Sequence, residues 1–564
     1  MSRLVLLVSS ILSFSILGST ASWDSADWSR TATLAKGENR ENIYNLEQSK
    51  LEKLSHKGYL HALQYPVTVT GLLVPYDPLK NFLEADEVNP LRRLVTKLAK
   101  KKVGFNDMDE MYSWLGANSY NDEDATGIYR IPYPNGEKPD FPMGVTLMET
   151  ARGTGMTFSC ATCHSANLFG TTVMGLTNKR VRANEFFHMA KKTVPLIPSR
   201  LFKVSTRATE DERLMFKRTK YNLNSVGVVV PQVVGLDTSL PQVALSLSRR
   251  NLDEYATKNK FLEKFPRKNE LEHFVADSKP AVWWNLKYKT RWLSDGSIVE
   301  GNPILTNFLW NEIGRGTDLK KLEKWMQDNT ETIKELTVAA FSTKAPRWTD
   351  FFDVETIDLE VAKRGEVVFK KRCAECHGNY EKAWNLPNAH ELDAVELLET
   401  TLVDYHKKTP VKDVGTDPQR YQGMKYFAKR LNDLKISKWM KTTVVPQKGY
   451  VPPPLVGIWA RYPYLHNNSI PNLCAFLTRA DKRPKKFVQG PADNRETDFD
   501  SECVGYPVGD AIPKEWWKDK DAIFDTTKPG LRNIGHTKAF IDKDGNELLT
   551  PTQKRELIVF LKTL

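Results

Sequence analysis

Two pentapeptides carry the chemistry of this chain. Cys160-Ala161-Thr162-Cys163-His164 and Cys373-Ala374-Glu375-Cys376-His377 both have the form C-x-x-C-H, the attachment signature of c-type haem. The spacing follows from the chemistry. Two thiols add to the two vinyl groups of one porphyrin, so they must sit one short turn apart. The histidine that follows rises under the ring and ligates the iron. A lone motif of this form also arises as a zinc or redox site. Two intact copies, the second followed by Gly378, point to two covalently bound haems with His164 and His377 as iron ligands. Such irons transfer electrons, reduce peroxide or activate oxygen, depending on whether the opposite axial position is filled.

Eight other histidines are present: His56, His61, His188, His273, His390, His406, His466 and His536. Any one of them is more often a surface or hydrogen-bonded residue than a ligand. His536 has the best context, in Arg532-Asn533-Ile534-Gly535-His536 shortly before the end of the chain. Met424 and Met440 are rivals, because small cytochromes c take a methionine from a loop after the motif. His466 is a further option. For the first haem no comparably placed candidate is found, and spacing alone leaves its distal side undecided.

The elements that must hold these residues are mainly helical. Leu359 to Arg372 reads as an amphipathic helix running straight into the second motif, with Leu359, Ala362, Val368 and Phe369 near helical spacing. Gly365 suits a close helix contact. Thr550-Pro551-Thr552-Gln553 offers an N-cap, a proline at the first helical position and a capping-box glutamine. Leu557, Ile558, Leu561 and Leu564 then give a terminal helix its apolar face. A first helix, a C-x-x-C-H and a crossing terminal helix make a cytochrome c-like unit over 346–564, with a large insertion. The unit before it, 22–345, carries the first motif behind a glycine-rich, weakly patterned stretch, Met148 to Phe158. Loops and short helices are expected to hold that haem. One strand pair is expected around Val67 to Val74 and one helix over Leu91 to Lys101. The fold class is mainly α, rich in loops and poor in β.

The N-terminus reads as a secretory leader. Arg3 is followed by an apolar run from Leu4 to Leu17, then Ser19-Thr20-Ala21 as a small-residue cleavage site. Residues 1–21 are therefore expected to be removed, leaving a periplasmic or secreted protein. No later stretch is apolar and long enough to span a bilayer. The formal charge of +12 over 564 residues is spread along the chain. Lysine clusters at Lys97 to Lys102 and Lys482 to Lys486 come without a nucleic-acid motif, which argues against nucleic acid as partner. Four of the six cysteines belong to the haem motifs. Cys474 and Cys503 remain, and in an oxidising compartment such a pair joins as a disulfide.

The segment from Pro452-Pro453-Pro454-Leu455 to Tyr464-Leu465-His466-Asn467-Asn468-Ser469-Ile470-Pro471 resembles a signature of the dihaem cytochrome c peroxidase superfamily. Asn468 stands where a glycine is usual. The mature chain most resembles the bacterial rubber oxygenases, extracellular dihaem enzymes that cleave polyisoprene with dioxygen. Trp283-Trp284, Arg291 to Ser297, Gly301-Asn302-Pro303, Asn307 to Gly316, Gly535-His536 and the ending Phe560 to Leu564 carry that resemblance. It implies an asymmetric pair. The haem on His164 would be open to dioxygen, and the haem on His377 would be closed by His536 and transfer electrons. Trp284, Trp292 and Phe308 would contribute to the distal pocket and the path between haems, although any one of them could equally be core. His466 would support a haem or its propionates. An apolar polyene would be the substrate, and a redox protein a possible partner. A dihaem peroxidase and a non-enzymatic electron carrier remain the alternatives.

Overall fold

The computed structural model of the chain describes residues 34–35, 41–84, 97, 100 and 104–564. The expected leader, and most of the helix expected over Leu91 to Lys101, lie outside them. Among the described residues the architecture is mainly helical, with long loops and five small sheets of two or three strands. Among the described residues no helix is long and apolar enough to cross a membrane.

Two helix crossings organise the chain. Helix Leu359–Arg372 starts at Asp358, whose carboxylate accepts the Val361 amide, and ends at Cys373, the first residue of the second motif. It crosses the terminal helix Pro551–Lys562, which has the expected capping box between Thr550 and Gln553 and proline at its start. The crossing is close because of Gly365: a Cβ there would lie 2.0 Å from the Glu556 carbonyl oxygen. Phe369 and Phe560 then pack with ring centres 5.2 Å apart. Arg364 Nε donates to Glu556 Oε1 at 2.6 Å beside them.

The same device recurs before residue 345. Helix Gln48–Gln64 crosses helix Thr330–Ser342, and a Cβ on Gly58 would meet the Glu335 carbonyl oxygen at 2.0 Å. Lys57 and His61 both reach the Glu335 carboxylate, at 3.1 and 2.8 Å. The C-terminal turn of the first helix touches the first motif: the Cys160 amide donates to the Ala62 carbonyl at 3.0 Å. The spatial order of helix and motif is thus the same at both motifs, although a long stretch of chain intervenes at the first.

Part of that stretch differs from expectation. The strand pair expected around Val67 to Val74 is absent; only Val74–Pro75 is extended, and it pairs with Gly155 and Met156. The sheet is instead built by the glycine-rich stretch. Val145–Thr150 and Gly153–Phe158 form an antiparallel hairpin from Val145 opposite Phe158 to Thr150 opposite Gly153. Thr146, Thr150, Thr154 and Thr157 are β-branched and suit a pleated strand. The glycines serve approach and turning: a Cβ on Gly155 would strike the Leu73 side chain, and Gly153 has φ +94°.

The two largest apolar cores both draw residues from either side of residue 345. One contains Trp284, Trp348, Phe369, Trp459, Tyr462 and Phe560. The other contains Ala161, Trp283, Trp292, Phe308 and Phe341, and also takes Met424, Phe427, Leu431, Ile436 and Met440 from the later half. Trp310 and Phe427 meet edge to face at 5.2 Å. Short strands tie the halves further: Leu34–Ala35 pairs with Val403 and Leu402, and Thr443–Val444 with Glu300 and Ile298.

Candidate haem-binding sites

At both motifs the helical turn that carries the thiols also aims the histidine. His377 Nδ1 lies 2.7 Å from the Pro453 carbonyl oxygen, and His164 Nδ1 lies 2.9 Å from the Ala281 carbonyl oxygen. A carbonyl can only accept, so each Nδ1 carries the proton and each Nε2 presents its lone pair. That is the tautomer an iron ligand needs, held by the kind of partner that orients ligating histidines. Burial pushes both imidazoles down to about 4, with the carbonyl contact opposing, so both are neutral donors at ordinary pH.

A cavity of about 660 Å³ opens beside His377. Cys373, Cys376, His377 and His536 all line it. The rings of His377 and His536 have centres 6.0 Å apart. That separation would admit one metal ion held by both imidazoles, at bonds of about 2 Å each. Burial and the neighbouring His377 lower the His536 imidazole to about 3. His536 is held by its backbone. It sits at φ +53°, in the left-handed region that costs a residue with a Cβ, and its amide donates to the Val414 carbonyl at 2.7 Å. Gly535 before it has φ +74°, and a Cβ there would fall 2.2 Å from the Gly415 carbonyl carbon. Phe476 packs on the imidazole at 4.7 Å. Phe476 belongs to the short helix Leu473–Phe476, which the expected Cys474–Cys503 disulfide anchors.

Of the other candidate ligands, the two methionines stand elsewhere. Met424 and Met440 are fully buried in the core that holds Phe308. Met424 Sδ lies 3.7 Å from an Arg420 guanidinium nitrogen, and neither methionine lines the cavity. The physical reason is the interleaving: their segment packs on helix Pro303–Gly314. His466 does line the cavity, but it stacks flat on Tyr450 with centres 3.8 Å apart. Burial, with Arg420 and Lys279 nearby, lowers it to about 3.

Around His164 the picture is different. Its ring neighbour is Trp283, at 5.5 Å, two residues beyond the Ala281 carbonyl. Among the described residues no second histidine ring faces His164 as His536 faces His377. His61 is engaged by Glu335, and His406 Nε2 lies 3.1 Å from the Cys376 carbonyl oxygen. The three aromatics expected to form one pocket are divided. Phe308 is buried against Tyr65, edge to face at 6.1 Å, and Tyr65 directly follows the helix whose end touches Cys160. Trp292 lies in the same core, 6.2 Å from Phe341, with its indole N–H donating to the Gly301 carbonyl at 2.8 Å. Trp284 belongs to the other core, and its N–H donates to the Val456 carbonyl at 2.9 Å.

Trp284 thereby helps form a bridge that the sequence did not announce. Asn285 Nδ2 donates to the Pro454 carbonyl at 3.1 Å. The strip 281–285 orients His164, and the strip 453–456 orients His377, so the two orienting strips are bonded to each other. Buried cations also line the cavity: Lys279, Lys289, Arg372 and Arg461. Burial lowers Lys289 to about 8 and Arg461 to about 10. Arg372 Nε is buried without a hydrogen-bond partner.

The donor set suits haem c better than the zinc or redox readings of C-x-x-C-H. Cys160, Cys163, Cys373 and Cys376 are free thiols. Burial raises Cys160 to about 11 and Cys373 to about 12, the opposite of an activated thiolate. Among the described residues no three His, Cys, Asp or Glu side chains converge as a zinc centre requires.

Residues 449–488 match the family model described as RoxA-like, cytochrome c-like. The C-terminal half therefore contains a cytochrome c-like domain, which supports haem c as cofactor and kinship with the RoxA-like family. The matched segment holds Tyr450, Pro453, Arg461, His466 and Phe476, five residues on the cavity wall. The chain is also 31% identical over 271 residues to the uncharacterized protein y4iJ of Sinorhizobium fredii, covering 39% of this chain and 41% of that one. It is 27% identical over 220 residues to the uncharacterized protein y4iM of the same organism, covering 36% of this chain and 46% of that one. The chain thus spans less than half the length of these curated relatives.

Proposed function

We propose that the protein is an exported dihaem c-type cytochrome acting as a haem-dependent dioxygenase on the C=C bonds of an apolar, polyisoprenoid-like substrate. Cys160, Cys163 and His164 would hold one haem. Cys373, Cys376, His377 and His536 would hold the other, with Lys279, Lys289, Arg372 and Arg461 suited to its propionate carboxylates. The observation that carries the reading is the asymmetry between the histidines. His377 has a second imidazole 6.0 Å away, and His164 has a tryptophan as its ring neighbour. A haem iron with an open axial position supplies dioxygen binding and activation.

The chain's own groups would supply the rest. The Ala281 carbonyl holds the His164 imidazole as a neutral donor. Phe308 and Trp292, buried in the core that also holds Ala161, would give the first site apolar walls that favour an alkene over water. The second site would store and pass electrons. The haem units would divide near residue 345, with 424–444 packed into the core around Phe308.

The test is optical and manometric. The isolated protein should show one low-spin haem and one haem that binds imidazole. It should consume dioxygen on polyisoprene without added reductant or peroxide, and Phe308→Ala should slow uptake with both haems still attached. Peroxide-dependent oxidation of a donor without oxygen uptake would establish the peroxidase alternative. Two unreactive six-coordinate haems would establish an electron carrier.

A further inference from the structure

Eight of the twelve large apolar side chains exposed among the described residues fall between 196 and 265. Scattered exposed apolar groups need no explanation; contiguous ones mark an interaction surface. These are brought together by named contacts. Helix Ser199–Thr206 buries Phe202 and Thr206 and turns Leu201 and Val204 outward, with Leu196 just before it 72% exposed. Lys220 Nζ ties this stretch to helix Glu210–Asn224 by donating to the Ile197 carbonyl at 2.8 Å. From that helix Tyr221 projects, with Lys258 Nζ 4.6 Å above its ring. Lys258 leads into the short helix Lys260–Lys264, whose flanks carry Phe261 and Phe265, 65% and 63% exposed, with ring centres 5.2 Å apart.

The charges in this region are mostly basic: residues 196–268 carry fourteen Lys and Arg against seven Asp and Glu. From 258 to 268 the chain reads Lys258, Lys260, Lys264, Arg267 and Lys268 against Glu263. Between Glu185 and Glu210 it carries Lys191, Lys192, Arg200, Lys203 and Arg207 with no acidic residue. Glu263 Oε1, moreover, is buried. Exposed phenylalanine and leucine interleaved with lysine and arginine is the composition of surfaces that lie in a lipid headgroup layer. The apolar groups enter the acyl boundary, and the cations meet anionic headgroups.

We propose that this face, carried by Leu196, Leu201, Val204, Tyr221, Phe261 and Phe265, docks the protein on an anionic lipid surface. The inference is independent of the oxygenase reading, since it uses no haem residue. The holoprotein should co-sediment with vesicles of phosphatidylcholine mixed with phosphatidylglycerol, much less with phosphatidylcholine alone, and binding should weaken as salt rises. The double variant Phe261→Ser, Phe265→Ser should bind these vesicles on the order of tenfold more weakly, and so should Leu201→Ser with Val204→Ser. Both pairs are exposed, so the haem spectrum and melting temperature should not change. No binding to the mixed vesicles at low salt overturns the proposal. So does binding that both double variants leave intact, or binding that is equal on neutral vesicles.

Discussion

His536 illustrates how much one residue here depends on its neighbours' lack of side chains. It reaches the cavity because Gly535 lies against Gly415 and because its own backbone accepts a positive φ. His536→Ala should convert the low-spin haem to one that takes up external imidazole or carbon monoxide, read from the Soret and visible bands. A low-spin signal that survived the change would return the role to His466. His466 itself carries a pH consequence. Its folded value, about 3, lies below the ordinary histidine value of 6.5. An unfolded chain therefore takes up a proton that the folded one refuses. Its contribution is intact above pH 6.5 and is lost as pH falls towards 3. Melting temperature should drop across that window, and His466→Gln should flatten the drop by roughly a few kcal/mol equivalent. The candidate ligands were legible from residue type: C-x-x-C-H twice, and a Gly-His pair just before the last helix. Their acceptors were not, because Ala281 and Pro453 act through backbone carbonyls, which every residue has. Their only trace is that both lie beside prolines, in chain that forms no helix and leaves carbonyls to be claimed.

At the scale of elements, the two crossings are held open to backbone contact by Gly58 and Gly365. Gly365→Val would drive a side chain into the Glu556 carbonyl, and Gly58→Val into that of Glu335. Each should cost about 1–3 kcal/mol or more, as overpacking does, seen as a lower urea midpoint. Gly365→Val should also loosen the motif that directly follows its helix. The C-terminal crossing could be read in advance, since its helices have caps, periodicity and direct continuity with Cys373. The N-terminal crossing could not, because its first helix ends at Gln64 and its motif begins only at Cys160. The hairpin over 145–158 was hidden for another reason: its glycines look like loop signals, yet they are there to let Leu73 and a tight turn approach.

For the whole molecule, the interleaved cores predict that neither half stands alone. A fragment ending at residue 345 would leave Trp310 without Phe427 and the core around Phe308 without Met424, Leu431 and Met440. Expressed alone, it should aggregate or fail to retain its haem, whereas the full chain should unfold in one cooperative transition followed by circular dichroism. The denatured full chain should keep its colour and exceed the polypeptide mass by two haems; an increment of one haem would overturn the double-motif reading. Sequence order suggested a simple division into two units. Nothing in it signalled that a helical segment from the second would be lent to the first, because apolar periodicity says that a face is buried and not against what.

The bridge from Asn285 and Trp284 to Pro454 and Val456 makes the two imidazoles parts of one lever. The strip that pins His164 cannot slide without tugging the strip that pins His377, since Asn285 and Trp284 fasten them at two points. A tilt of either imidazole on ligand exchange at a haem held there would therefore be passed on through these few residues. Two haems held at these sites would be linked mechanically as well as by exchange of charge.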